Sequence, residues 1–425
     1  MSRGAANLAA TLAAVLAFAG MVGLVGMRVA RNLNVPGHPM EERYGLQDYR
    51  DNFYYPVIAV LDGRNPYDFE DYRAHYPIAR PLPPYSPISF LVHLPLAPMP
   101  FPIAEWAYFG FSAALLLAVA CLGLATAGAE VTAARLFGIA AALLCSRPAH
   151  MTLFLGQCTI LVVVGCGMAL HRGRTAPLAA ALGIALACVK PTYGLPLLLL
   201  ILLRRDGRAF LYGGTLAAGL AMALALPPIR AASGVLPFLE SVRHGMAVVA
   251  TDPAFDATTS IIRVDLAGSL GRAIGFRPGP GFELFIGALV MGLAGLALGR
   301  LDRVERDPAV RPIGNGLICL ALLLSMYHQA YDTLLLSLPA IALVFGSDAV
   351  WRGMPRRTRV VFLGLMAVPA GNYLATHTLM KALAPHRAGW LLITSANGAA
   401  LAAAFFLWLL LAFRTGRIGS PPRTG

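Results

Sequence analysis

"HRGRTAPLAAALGIALACVKPTYGLPLLLLILLRRDGR", residues 171–208, sets an arginine cluster at each end of an apolar stretch that a Lys-Pro pair interrupts. As one long helix it would put the two clusters on opposite sides of a membrane. Short arginine-rich loops belong on the cytoplasmic side. The stretch therefore reads as two short helices meeting at Lys190, with Pro191 supplying the break. Each half has about 13 residues, or ~20 Å at 1.5 Å per residue, short of the ~30 Å hydrocarbon core. Lys190 is expected below the outer surface, facing protein or a water-filled cavity. The plainer reading is a lysine that snorkels to the interface.

The rest of the chain fits a membrane setting. Of 425 residues, 57% are hydrophobic and 13% charged, with a mean hydropathy of +0.66. Globular chains carry about 25% charged residues. Long apolar runs recur throughout, without the period-two pattern of an outer-membrane barrel. The fold class is an all-α polytopic membrane protein. Residues 7–27 have too long an apolar core for a signal peptide and read as the first span. The net charge of +13 sits in short loops between spans, which excludes nucleic acid as the expected partner. Cys121, Cys145, Cys158, Cys166, Cys188 and Cys319 lie in apolar segments, with no disulfide or metal-type spacing.

Further basic clusters lie at Arg300 to Arg311, at Arg352 to Arg359 and in the tail from Arg414. Keeping every cluster cytoplasmic requires an even number of crossings between them. The expected spans are 7–28, 103–126, 133–147, 153–170, 177–189, 192–203, 209–228, 282–300, 313–327, 333–347, 360–376 and 389–412. The third and ninth are short, so the count is ten to twelve. Both termini then lie inside. This organisation is one transmembrane domain over 1–413 and a basic cytoplasmic tail over 414–425. Two segments are extracytoplasmic, a large first loop at 29–102 and a second at 229–281, in which 258–274 is expected as an interfacial amphipathic helix. No internal repeat is evident, against the transporter folds built from inverted repeats.

Ionisable residues within or beside spans are costly and usually functional. Here they converge on the outer side: Asp48 and Asp51 after the first span, Lys190 at the hairpin tip, and Tyr327-His328-Gln329-Ala330-Tyr331-Asp332 beyond the ninth. A carboxylate, an ammonium and an imidazole together suit acid–base work beside an anion. Each has a plainer reading. A loop Asp is commonly a solvated charge or a cap, and His328 and Asp332, four apart, can simply pair. Asp48 and Asp51 are spaced D-x-x-D, as are Asp68 and Asp71, and no His cluster completes a site, so no metal is expected. There is no Gly-rich phosphate loop and no G-x-S-x-G elbow.

Five short elements, in order over about 50–350, resemble glycosyltransferase family 87, membrane enzymes of the GT-C class. Asp51-Asn-Phe-Tyr-Tyr55 followed by Gly63-Arg-Asn-Pro-Tyr67 is similar to its "D-x-x-x-Y … G-x-x-x-Y" segment. Tyr85-Ser86-Pro87 with Leu94-Pro95-Leu96 resembles "Y-P-P … P-L", and Gly156-Gln157-Cys158-Thr159 resembles "G-Q-x-N". Lys190-Pro191 resembles "K-P", and His328-Gln-Ala-Tyr331-Asp332 the late "H-x-Y-D". Ser86 stands where the family commonly has proline, and Thr159 where it commonly has asparagine. Both mark a divergent branch.

The resemblance implies a GT-C fold and transfer of a hexose, with mannose first, from a polyprenyl-phosphate donor to an extracytoplasmic hydroxyl. It places the catalytic aspartate at Asp51, four residues before Tyr55, with Asp48 as the alternative. A base must take the acceptor's proton as the new bond forms, and a lipid phosphate leaves as an anion that fixed cations stabilise. Lys190, His328 and Arg263 are the candidates for that phosphate. Tyr54, Tyr55, Tyr67, Tyr85, Gln157, Tyr331 and Asp332 are candidate substrate contacts, although an interfacial Tyr is also an ordinary anchor. One displacement would invert the anomeric centre. No cofactor is expected. The expected partners are the lipid-linked sugar, the bilayer, and an acceptor that is a glycan, a lipid or a protein. The expected location is a bacterial inner membrane, with the site on its extracytoplasmic face.

The alternative class is a transporter or flippase for a lipid-linked or small solute, with Lys190 and Asp332 as gating or substrate charges. It would set those charges near the bilayer midplane. A polymerase or ligase of surface polysaccharide would share the site's side but usually carries its large outer loop late in the chain.

Overall fold

The computed structural model describes residues 3–33, 43–79, 85–172, 175–251, 255–302, 311–347, 351 and 354–418. Arg174, Arg352, most of the basic stretch between Arg300 and Arg311, and the tail beyond Ile418 lie outside the described residues.

The first helix, α1 (Arg3–Arg31), is an apolar rod with Arg28 and Arg31 in its last turn. The loop after it folds into short pieces: α2 (Gln47–Tyr49), a π-helical turn (Arg50–Tyr54), α3 (Tyr55–Leu61), α4 (Phe69–His75) and α5 (Ile88–His93). Apolar sequence resumes in α6 (Phe101–Thr126). The next pair, α7 (Ala133–Leu144) and α8 (Arg147–Leu155), is bent by 80° at the break before Pro148 in the first turn of α8, since proline cannot continue the preceding hydrogen-bond ladder. Three short apolar helices follow, α9 (Thr159–Arg172), α10 (Pro177–Ala187) and α11 (Pro191–Leu203).

Beyond them come α12 (Gly207–Ala231), α13 (Val235–Ala250), α14 (Leu266–Ile274) and α15 (Pro280–Leu301). Next, α16 (Arg311–Ser325) leads through a 3-10 turn at Ala330–Leu336 into α17 (Ser337–Phe345). The chain ends in α18 (Arg356–Gly371), α19 (His377–Leu383) and α20 (Arg387–Ile418).

Among the described residues, five helices, α1, α6, α12, α15 and α20, are long and apolar enough to cross a membrane, and the bent α7–α8 pair makes a sixth candidate. Shorter apolar helices stand at 159–171, 177–187, 191–203, 311–325 and 330–345. The protein is an all-α polytopic membrane protein. No strand occurs among the described residues, only the isolated bridges Leu33 to Gly45 and Arg263 to Gln329. The helix expected over 258–274 is confined to α14, because the Asp265 side chain accepts from Gly268 N and starts the helix there.

Small residues set how closely the helices pack. A Cβ on Gly165 would lie 2.6 Å from Gly183 O, and one on Gly183 would lie 2.5 Å from Gly165 O. The α9 and α10 backbones therefore meet directly, as small residues allow in membrane bundles. From Pro312 to Ser325, every residue of α16 is buried. Trp408 of α20 is fully buried against it and donates its indole N–H to Ile313 O at 2.7 Å. This core holds the Lys190 hairpin and the 3-10 turn side by side.

Candidate functional site

The hairpin of α10 and α11 fixes Lys190. At 11 and 13 residues, the two helices extend only about 17 and 20 Å at 1.5 Å per residue. Lys190 caps α11, with Pro191 in its first turn, and is 4% exposed. Its Nζ donates to Asp332 Oδ1 and to Thr159 Oγ1, both at 2.9 Å. It also lies 4.7 Å from the Tyr331 ring centre and 5.3 Å from that of Tyr85. The ammonium is buried in protein, not extended to the interface.

Asp332 gathers the surrounding groups. Its Oδ2 accepts from Gln329 N at 2.9 Å and stands 3.3 Å from His328 Nδ1. Thr159 Oγ1 donates to its Oδ1 at 3.1 Å, and the Tyr193 hydroxyl donates to its main-chain carbonyl at 3.0 Å. His328 is fully buried, edge-on to Tyr193 with ring centres 4.5 Å apart, and its Nε2 has no hydrogen-bond partner. The four-residue spacing does pair His328 with Asp332. His328 precedes the 3-10 turn, so the pair closes a turn and is not set on a shared helix face.

The two aspartates of the first loop part company. Asp51 is 1% exposed and lies 2.7 Å from Arg50 Nε. Its carboxylate accepts from Ala79 N at 3.2 Å, and its carbonyl accepts from the Tyr72 hydroxyl at 2.8 Å. These contacts tie the loop together from within. Asp48 is only partly buried, and its Oδ2 accepts from Gln157 Nε2 at 2.6 Å. The Tyr85 hydroxyl donates to Gln157 Oε1 at 3.0 Å. A chain Asp48–Gln157–Tyr85 thus leads to the ring beside which Lys190 lies. Gly156 makes room for this approach: it ends α8 at φ 71°, and a Cβ there would lie 2.7 Å from Tyr49 Cβ.

Both departures from the family pattern bond to the hairpin from outside it. Ser86 N–H donates to Val189 O at 3.2 Å and its hydroxyl to Cys188 O at 2.7 Å. A proline could make neither bond. Thr159 bridges Lys190 and Asp332 with one hydroxyl.

Arg263 is differently placed from the expected phosphate ligand. Its guanidinium holds Asp265 through Nε at 2.7 Å and Nη2 at 3.0 Å, and Glu283 at 2.7 Å. Burial opposes the charge, but its hydrogen bonds to both carboxylates, and their charge, outweigh it and raise the Arg263 pKa. The side chain lies over Tyr327, and the backbone of Arg263 bridges Gln329 while Val264 N bonds His328 O. It braces the His328 loop. Tyr54 and Tyr67 are also tied to protein, through hydroxyl bonds to Met99 O and Tyr85 O, each at 2.8 Å. Tyr55 stacks on Phe101, their ring centres 5.6 Å apart.

Sequence reasoning passed over Tyr193, although its position three residues after Lys190 puts both on one helix face. It also passed over His93, a buried imidazole 4.5 Å from the Phe53 ring with neither nitrogen bonded. A lone His in an apolar run carries no signal of its own. Among the described residues, no group of three or more His, Cys, Asp or Glu side chains is arranged to hold a metal ion.

The model of glycosyltransferase family 87 matches residues 84–326, more than half of the chain. The chain belongs to glycosyltransferase family 87. Membership makes it a membrane glycosyltransferase and favours transfer over transport. The family 87 match takes in Tyr85, Gln157, Lys190 and Arg263, while Asp48, Asp51, His328 and Asp332 lie outside it. Searches among curated proteins and solved structures give no match.

Proposed function

We propose that this family 87 enzyme moves a hexose, mannose first among candidates, from a polyprenyl-phosphate donor to an acceptor hydroxyl. The setting is the extracytoplasmic face of a bacterial inner membrane. The scaffold is a GT-C-type bundle of about twelve transmembrane helices, with ten as the lower count. One observation carries the reading: Tyr85 joins a carboxylate to a cation. Its hydroxyl reaches Asp48 through Gln157, and Lys190 Nζ stands 5.3 Å from its ring.

Asp48 is the better base of the two aspartates, since Asp51 is turned inward onto Arg50 and Ala79 N. Asp48 takes the acceptor's proton as the hydroxyl oxygen bonds to the anomeric carbon. The bond from that carbon to the phosphate oxygen breaks in the same step, and the phosphate leaves with the electron pair. A single displacement inverts the centre. Lys190 uses two of its N–H donors on Asp332 and Thr159, which leaves the third for a phosphate oxygen. His328 Nε2 supplies the second polar group.

The test is to incubate purified protein with a panel of polyprenyl-phosphate hexoses and follow loss of each. Wild-type protein should consume the mannose-linked donor, and Asp48→Asn should not. Equal consumption by that variant would remove Asp48 from the chemistry.

A further inference from the structure

A second polar cluster lies where the last turn of α1 meets α8 and the end of α18. Arg28 is exposed, yet its side chain folds back onto protein. Its Nη1 stands 2.5 Å from His150 Nε2, and its Cζ lies 4.6 Å from the Phe154 ring centre. Two basic groups thus face each other. Beside them Arg147, 4% exposed, donates only to main-chain carbonyls, Asn372 O at 2.7 Å and Ala375 O at 2.5 Å. The Tyr373 ring closes the corner, its centre 6.4 Å from that of His150.

The helices around this charge are without acids. The stretches that supply α1, α8 and the end of α18, 3–31, 131–205 and 349–425, contain no Asp or Glu. Among the described residues, neither Arg28 nor Arg147 forms an ion pair. A snorkelling arginine would extend into water, whereas Arg28 is turned inward onto a base and a ring. Two guanidiniums and an imidazole beside low-dielectric surroundings favour an anion, and the guanidinium fork fits phosphate oxygens. The flank below is apolar and open: Leu24 is 55% exposed, Met27 52% and Leu374 58%.

We infer that the Arg28–His150–Arg147 corner binds the phosphate head group of an anionic membrane lipid, its chains lying along the open flank of α1. None of Asp48, Gln157, Tyr85 and Lys190 belongs to this corner, and the inference does not rest on the transfer chemistry. Arg28 would turn from His150 to the phosphate, with His150 donating beside it.

The experiment is a titration of the purified full-length protein, in neutral detergent, with fluorescent dioleoylphosphatidylglycerol. Arg28→Gln should weaken binding about fivefold, the equivalent of roughly 1 kcal/mol for one basic residue at an anionic lipid. Arg28→Lys, which keeps the charge and loses the fork, should bind between wild type and Arg28→Gln, and added salt should weaken wild-type binding. His150→Ala, which leaves α1 untouched, should also weaken it and guards against a folding defect in Arg28→Gln. Equal affinity in wild type, Arg28→Gln and His150→Ala would overturn the site. Displacement of the lipid by equimolar inorganic phosphate would overturn the lipid assignment, and failure to displace it supports that assignment.

Discussion

Lys190 Nζ stands 2.9 Å from Asp332 Oδ1, with both side chains about 5% exposed. Two charges removed from water this completely depend on each other. Removing one partner of a buried pair costs about 3–5 kcal/mol, because the other charge is left uncompensated. Asp332→Asn should therefore lower the thermal midpoint in detergent by that equivalent. The double variant Lys190→Met/Asp332→Leu should regain most of the midpoint without regaining transfer. Recovery of activity in the double variant would show that the pair serves stability alone. Lys190→Met by itself should weaken apparent donor affinity far more than acceptor affinity.

Asp48 and Asp51 should separate by readout. Asp48→Asn should cut transfer by about 10²–10⁴-fold, the usual range for a lost general base, with the melting profile unchanged. Asp51→Asn should lower stability, since Arg50 Nε then faces a neutral amide, while folded protein keeps transfer within about tenfold. The reverse pattern would assign the base to Asp51.

Ser86 tests how the first loop holds the hairpin tip. Ser86→Ala removes the hydroxyl bond to Cys188 O and should cost about 1 kcal/mol. Ser86→Pro also removes the N–H bond to Val189 O and should cost more. Both variants should raise proteolytic sensitivity within the first loop, and unchanged cleavage would mean that the loop is held elsewhere.

His93 gives the fold an acid-side weakness. Burial among aromatic rings pushes its pKa down to about 3, against about 6.5 in an unfolded chain. The unfolded state binds the extra proton between those values. Stability is then fully present above about pH 6.5 and declines as the pH falls toward 3. His93→Phe keeps the stacking on Phe53 and should flatten that part of the stability–pH curve. A curve that keeps its slope in His93→Phe would place the titration on another group.

The sequence by itself determined the membrane class and the hairpin at Lys190. Apolar run length and arginine placement act locally, through the bilayer's thickness and its preference for cytoplasmic cations. The pairing of His328 with Asp332 was suggested by a helical spacing of four, although a turn and not a helix face brings them together. What only the tertiary structure decided is how the two aspartates are placed. Asp48 and Asp51 are three apart and would share one face of an α-helix, so spacing alone could not part them. The π-helical turn at Arg50–Tyr54 widens the helix there, and Asp51 is buried against Arg50 and Ala79 while Asp48 reaches Gln157. The fate of Arg263 was equally out of reach, because Glu283, twenty residues on, reaches it only once α15 packs beside the second loop.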